Sequence, residues 1–160
     1  MKLAGINEND IVDCDDGICV SIWFQGCPHR CKGCHNPETW SFEGEDTDNK
    51  KVVEKVKDLI IKNGVKRNLS VLGGEPLAPQ NIKDAAYLLK EIKEAYPEIK
   101  TYLWTGYTIE EINKFGNKDF LNYIDVLIEG RFIEEQRDAS LKLRGSKNQR
   151  ILYKKNNFQG

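Results

Sequence analysis

Apolar positions along the chain follow two periods. Ile18–Gln25, ICVSIWFQ, is a run of β-branched and aromatic residues and predicts a strand. Asn68–Leu72, Thr101–Trp104 and Tyr123–Ile128 are shorter runs of the same kind, closed by Gly73-Gly74, Thr105-Gly106 and Glu129-Gly130. Between them the period changes to that of a helix. Val52, Val53, Val56, Leu59 and Ile60 share one helical face, with Gly64 as its stop. Ile82, Ala85, Ala86, Leu89 and Ile92 share the face of a second helix, with Pro79 suited to its first turn and Pro97 beyond its end. Thr108 and Glu111 make a capping box for a short third helix, and Asp119–Tyr123 reads as one more helical turn. The opening predicts a hairpin of Lys2–Ile6 and Ile11–Asp13 joined through Asn7–Asp10, and Arg150–Tyr153 a final strand.

Strands alternating with helices predict an α/β fold around a mostly parallel sheet, in one domain spanning residues 1–160. Four strands with a possible fifth are too few to close an eight-stranded barrel, so a small open partial (β/α) barrel is expected. In such sheets ligands bind at the carboxyl ends of the strands. Those ends carry the residues after Gln25, the Gly-Gly-Glu-Pro loop after Leu72, Thr105-Gly106 and Glu129-Gly130, and they are expected to converge.

Composition narrows the class. Leu, Ile, Val and Phe make up 42 of 160 residues, enough to build a core. Mean hydropathy is -0.58, and no apolar run approaches the ~18–20 residues that span a bilayer. The N-terminus lacks the basic and apolar regions of a secretory signal, so a cytoplasmic location is expected. A net charge of -1 argues against a general nucleic-acid binder. The charge is uneven: residues 1–48 carry a net -7 and residues 131–155 a net +5, an asymmetry able to steer a partner.

The five cysteines are an odd number, and three lie within eight residues: Cys27, Cys31 and Cys34, in CPHRCKGC. Three thiolates in one loop suit a 4Fe–4S cluster with three irons held by protein and the fourth left open. Gly26, Pro28 and Gly33 allow tight wrapping, and Arg30 and Lys32 offset thiolate and sulfide charge. The competing reading is a zinc-binding interaction module built from Cys14, Cys19, Cys31 and Cys34, although structural zinc sites favour shorter gaps between paired cysteines. His29 and His35 read as hydrogen-bond donors near the cysteines rather than as ligands. Trp104 is equally a core residue and a candidate for the wall of a site. No Ser/His/Asp or paired-carboxylate motif is present.

The Cys-x-x-x-Cys-x-x-Cys spacing after a first strand resembles the signature of the radical S-adenosylmethionine enzymes. The wider stretch Gly26–Trp40, GCPHRCKGCHNPETW, is similar to the activating enzymes of glycyl-radical proteins. Asp125–Ile151 resembles those that serve anaerobic ribonucleotide reductase. The resemblance implies the radical SAM type of partial barrel, a 4Fe–4S cluster on Cys27, Cys31 and Cys34, and S-adenosylmethionine as cosubstrate. It carries contact with the methionine amino group onto Gly73, Gly74 and Glu75, and further cofactor contacts onto Thr105, Glu129 and Arg131. It implies reductive cleavage of S-adenosylmethionine, with flavodoxin or ferredoxin as electron donor. The partner would be the glycyl-radical subunit of anaerobic ribonucleoside-triphosphate reductase, or another glycyl-radical enzyme such as pyruvate formate-lyase. Many radical SAM enzymes carry an aromatic residue just before the third cysteine; here it is Gly33, so a ring packing on adenine must come from elsewhere.

Overall fold

In the computed structural model, which describes residues 1–159, six strands form one open sheet in chain order. They are β1 (Leu3–Asp10), β2 (Cys19–Phe24), β3 (Asn68–Gly73), β4 (Thr101–Thr105), β5 (Val126–Glu129) and β6 (Arg150–Tyr153). The pairings β2–β3, β3–β4 and β4–β5 are parallel, whereas β1–β2 and β5–β6 are antiparallel. The sheet is therefore mixed rather than mostly parallel. Its two edge strands return without a helical crossover, and an antiparallel neighbour needs only a short connection.

The expected opening hairpin is not formed. Leu3–Asp10 is one strand with half-buried and exposed residues interleaved, and its partner is β2. Its few apolar positions hid it, because an edge strand facing water needs little apolar surface. Helices α1 (Asn49–Ile60) and α2 (Ile82–Ala95) follow the expected periodicity. The Asp48 side chain caps α1 by accepting from Lys51 N–H at 3.0 Å. Pro79 lies in the turn before α2 rather than in its first helical turn, since Asn81 is the N-cap. The capping box of α3 (Ile109–Ile112) forms as expected, and Asp119–Tyr123 is a 3-10 turn.

Strand alternation sorts the side chains onto two faces. Val20, Ile22 and Phe24 of β2, Leu69 and Val71 of β3, Leu103 of β4 and Leu127 of β5 join the buried faces of α1 and α2 in the main core. On the other face Cys19, Tyr102, Val126 and Ile128 form a smaller cluster with Cys14, Trp104 and Leu143. Because α3 has only four residues, a groove of about 710 Å³ remains between α2 and the segment holding Tyr107, Phe115 and Tyr123. No helix among the described residues is long and apolar enough to cross a membrane.

The loop between β1 and β2 folds beneath the second face. Ser70 Oγ donates to the Asp13 carbonyl at 2.5 Å, and the Tyr102 hydroxyl donates to Asp15. Asp10 is buried; Ser21 Oγ donates to its Oδ2 at 2.6 Å, and the Val12 and Asp13 N–H groups to its Oδ1. Burial raises the Asp10 carboxyl, but these hydrogen bonds outweigh it and leave it below the usual range. Neighbouring Asp13 is pushed up to about 7, by burial first and then by Asp10.

A carboxyl raised in the folded state binds a proton that the unfolded chain has lost. Asp13 therefore contributes stability that is complete below the unfolded value near 3.8 and is lost as pH rises through about 7. Urea unfolding of the apoprotein is expected to show stability falling between about pH 4 and 7. Asp13→Asn should flatten that stretch of the profile, and an unchanged slope in the variant would show the assignment to be wrong.

Candidate functional site

The carboxyl ends of β2, β3 and β4 open into a cavity of about 210 Å³ whose wall includes Cys27, Cys31, Cys34, Gly73, Gly74 and Glu75. Convergence follows from parallel pairing, which sets Phe24 beside Gly73. The two loops are then stitched together: Gly74 N–H donates to the Phe24 carbonyl at 2.9 Å and Glu75 N–H to the Gly26 carbonyl at 2.8 Å. The end of the cysteine loop returns to its start, with Gly26 N–H on the Thr39 carbonyl at 2.7 Å and Cys27 N–H on the Trp40 carbonyl at 3.1 Å. A Cβ at Gly74 would lie 2.4 Å from the Gly26 carbonyl oxygen, so this crossing requires glycine.

Glu75 is wholly buried, and both of its carboxylate oxygens are engaged twice. Oε1 accepts from Leu77 N–H at 2.8 Å and from the Thr105 hydroxyl at 2.7 Å. Oε2 accepts from Gly106 N–H at 2.7 Å and is paired with His29 Nε2 at 2.8 Å. One side chain thus joins the β3 end, the β4 end, the approach to α2 and the cysteine loop. Asn81 reinforces it, donating to the carbonyls of Gln25 and Glu75 at 3.0 Å each.

Asn36 N–H lies 3.4 Å from Cys34 Sγ. Burial pushes the Cys27 and Cys31 thiols up, and backbone groups of His29 and Arg30 near Cys27 and of Phe132 near Cys31 oppose the rise. Among the described residues no three side chains converge tightly enough to hold a single metal ion. A cubane places each thiolate on a different iron and needs no such common point. Sulfur donors of one kind around one cavity, already facing N–H groups, fit an iron–sulfur cluster.

Cys14 and Cys19 lie elsewhere. Cys19 opens β2, whereas the three clustered cysteines follow its far end, so about 17 Å of strand separates them. Both Cys14 and Cys19 sulfurs turn toward the Asp10 carbonyl, at 3.7 and 3.4 Å, and burial pushes the Cys19 thiol up to about 12. A four-thiolate zinc site from Cys14, Cys19, Cys31 and Cys34 therefore has no place in this fold.

Of the other expected residues, Thr105 and Arg131 reach the cavity. Thr105 is buried, with its hydroxyl accepting from Tyr107 N–H at 3.1 Å while donating to Glu75. Arg131 makes a two-pronged ion pair with Glu111, at 3.0 and 3.1 Å, and lies over the Tyr107 ring. Glu129 points away from the cavity. Its Oε2 accepts from Ile109 N–H at 2.6 Å, and Arg150 binds both oxygens, at 2.8 and 2.9 Å. Trp104 fills both of its expected roles, lining the cavity while stacked on buried Tyr102.

Sequence reasoning gave little weight to the cover. Arg131–Gln149 folds over the cysteine loop: Arg137 donates to the Gly33 carbonyl at 3.1 Å, and the Phe132 ring packs edge-on against His35 at 5.2 Å. A Cβ at Gly33 would come within 2.8 Å of Glu134 Oε1. The place beside the third cysteine is thus taken by Glu134 from the cover.

Gly106→Ala should break the pairing of His29 with Glu75, because the added Cβ would lie 2.4 Å from the His29 ring. Glu75→Ala strips acceptors from four donors and is expected to cost about 3 kcal/mol or more in urea unfolding. A Glu75→Ala loss below about 1 kcal/mol would contradict its role as the tie between the loops.

Comparison with known proteins agrees with this geometry. A family model described as a 4Fe-4S single cluster domain matches residues 15–152. A protein of Haemophilus influenzae is 38% identical over 140 residues, covering 85% of this chain and 88% of its own length. One of Vibrio cholerae is 40% identical over 143 residues, covering 84% and 87%, and one of Enterobacteria phage T4 is 33% identical over 150 residues, covering 91% and 93%. All three are named anaerobic ribonucleoside-triphosphate reductase-activating protein. With a matching cluster-domain model and this identity sustained over most of its length, the chain belongs to the family of anaerobic ribonucleoside-triphosphate reductase-activating proteins.

Proposed function

We propose that this chain is a radical SAM activase, a single domain over residues 1–160 with a partial barrel of that type, acting in the cytoplasm on the glycyl-radical subunit of anaerobic ribonucleoside-triphosphate reductase. Cys27, Cys31 and Cys34 would hold a 4Fe–4S cluster by three of its irons. When bound and reduced, such a cluster would supply one electron to the sulfonium of S-adenosylmethionine, breaking its S–C5′ bond to methionine and a 5′-deoxyadenosyl radical able to take hydrogen from a partner glycine. Flavodoxin or ferredoxin is the reductant the reading calls for.

The chain's own residues bind, orient and enclose. The observation that carries the reading is the meeting of three cysteines and a Gly-Gly-Glu loop in one cavity at the ends of parallel strands. Gly73 and Gly74 place backbone beside that cavity, and their carbonyls suit an ammonium. Glu75 is the buried acid of the wall, and an ammonium reaching its Oε2 would take the place of His29. Thr105 fixes that carboxylate from the β4 side. Arg131, held by Glu111, presents a cation at the rim. Glu129 would act at one remove, by fixing the N-terminus of α3 and the Arg150 guanidinium below the site. Trp104 and Phe132 supply aromatic surface for adenine in place of a ring at position 33. No general base is called for: of the two imidazoles in the wall, His29 is engaged by Glu75 and His35 packs on the Phe132 ring.

The test is anaerobic reconstitution followed by metal, sulfide and product analysis. Iron and sulfide near four each per chain, with 5′-deoxyadenosine formed from S-adenosylmethionine and a reductant, are expected. Cys31→Ala should abolish the product. Mixing with the reductase should give the EPR doublet of a glycyl radical, and mixing with pyruvate formate-lyase should not. A colourless protein containing zinc and no sulfide would defeat the reading.

A further inference from the structure

Two indoles line the cavity, and they differ in one respect. Trp104 Nε1 donates to the Leu143 carbonyl at 2.8 Å. Trp40 Nε1 is buried with no acceptor from the protein. An indole N–H shut away from water normally finds a partner, and leaving it without one is costly. We propose that the Trp40 N–H donates to sulfur of the iron–sulfur centre held by Cys27, Cys31 and Cys34, and thereby raises its reduction potential. The inference rests on the cluster reading above and adds to it a residue that tunes the centre.

Three observations place the indole among the cysteines and leave its N–H free for them. Trp40 belongs to the cysteine loop itself, with its carbonyl accepting from Cys27 N–H at 3.1 Å. The Arg30 guanidinium lies 5.7 Å from the ring centroid, so the ring is also held by the residue just before Cys31. The carboxylate of the same wall has no acceptor position to spare, because Glu75 already serves four donors. Cys27, Cys31 and Cys34 line the same wall as the indole, so thiolate or sulfide would be an acceptor within that wall. Asn36 N–H, 3.4 Å from Cys34 Sγ, is already a donor of this kind.

The physical consequence has a sign. Reduction adds negative charge to the cluster, much of it on sulfur, so an N–H···S bond is stronger in the reduced state and lifts the potential. Trp40→Phe keeps an aromatic ring for Arg30 and removes only the donor. Wild-type and variant protein, both anaerobically reconstituted, are to be titrated for midpoint potential. Both are also to be labelled with indole-¹⁵N tryptophan, reduced and read by pulsed EPR. The variant should retain its iron and sulfide and reduce at a more negative potential. Wild-type protein should show a ¹⁵N coupling that the variant lacks.

An unchanged potential with full cluster content, or wild-type protein with no ¹⁵N coupling, would overturn the assignment while leaving the cluster reading intact. The coupling is measured on wild-type protein, so it decides the matter even if the variant folds poorly. Wild-type protein that takes up no iron and sulfide would bring down the cluster reading, and this assignment with it.

Discussion

Burying a carboxylate is costly unless protein donors replace the water it loses. At Glu75 all four acceptor positions are filled, by two backbone N–H groups, a hydroxyl and an imidazole. Those donors come from residues 29, 77, 105 and 106, so the cost of removing any one is shared by the others. This side chain fixes the distance between the cysteine loop and the β4 end. The glycines around it follow from the same constraint: Gly74 clears the Gly26 carbonyl, and Gly106 clears the His29 ring. The Gly-Gly-Glu motif is therefore structural before it is chemical, and any ligand that uses it meets a wall whose position is already set.

That hub also explains which parts of the site were legible in the sequence. The strands β2 to β5 announce themselves as apolar runs closed by glycine or by a Thr-Gly step, and parallel order alone brings their ends together. Cys27, Glu75 and Thr105 could be placed at one site on that basis. Glu129 is expected there too and lies beside Thr105 in the sheet, but Ile109 N–H and the Arg150 guanidinium, both distant in sequence, hold its carboxylate away from the cavity. The His29–Glu75 pair spans 46 residues and leaves no local trace. The first strand is legible at Lys2–Ile6 but not through to Asp10, since its polar residues there look like a turn and its pairing with β2 supplies what its side chains do not.

The cover over the cysteine loop shows how charge density misleads. Charge alone leaves Arg131–Gln149 equally a solvated surface segment or a ligand-facing one, and it contributes Phe132, Gly145 and Gln149 to the cavity wall. It is held by polar contacts made after the chain turns back: Ser146 Oγ accepts from Ile133 N–H at 3.2 Å, Gln149 donates to the Gly130 carbonyl at 3.0 Å, and Asn148 to the Arg131 carbonyl at 2.7 Å. Such a segment has no hydrophobic period because side chain-to-backbone bonds order it rather than apolar burial. Gly33 is the matching signal on the other side, a residue without a side chain where Glu134 must fit.

The two kinds of cysteine in this chain separate the demands of packing from those of chemistry. Cys14 and Cys19 sit among apolar side chains on the second face of the sheet, and burial raises both thiols, which suits neutral, inert groups. Cys27 and Cys31 are also raised by burial, and in both sets hydrogen bonding acts in the other direction. A cation bound to the sulfurs of Cys27, Cys31 and Cys34 would favour their thiolates, and the bond from the Asn36 N–H to Cys34 would then strengthen. What separates the two sets is place: Cys19 opens β2, whereas the other three follow its far end and line the cavity beside the Gly-Gly-Glu loop.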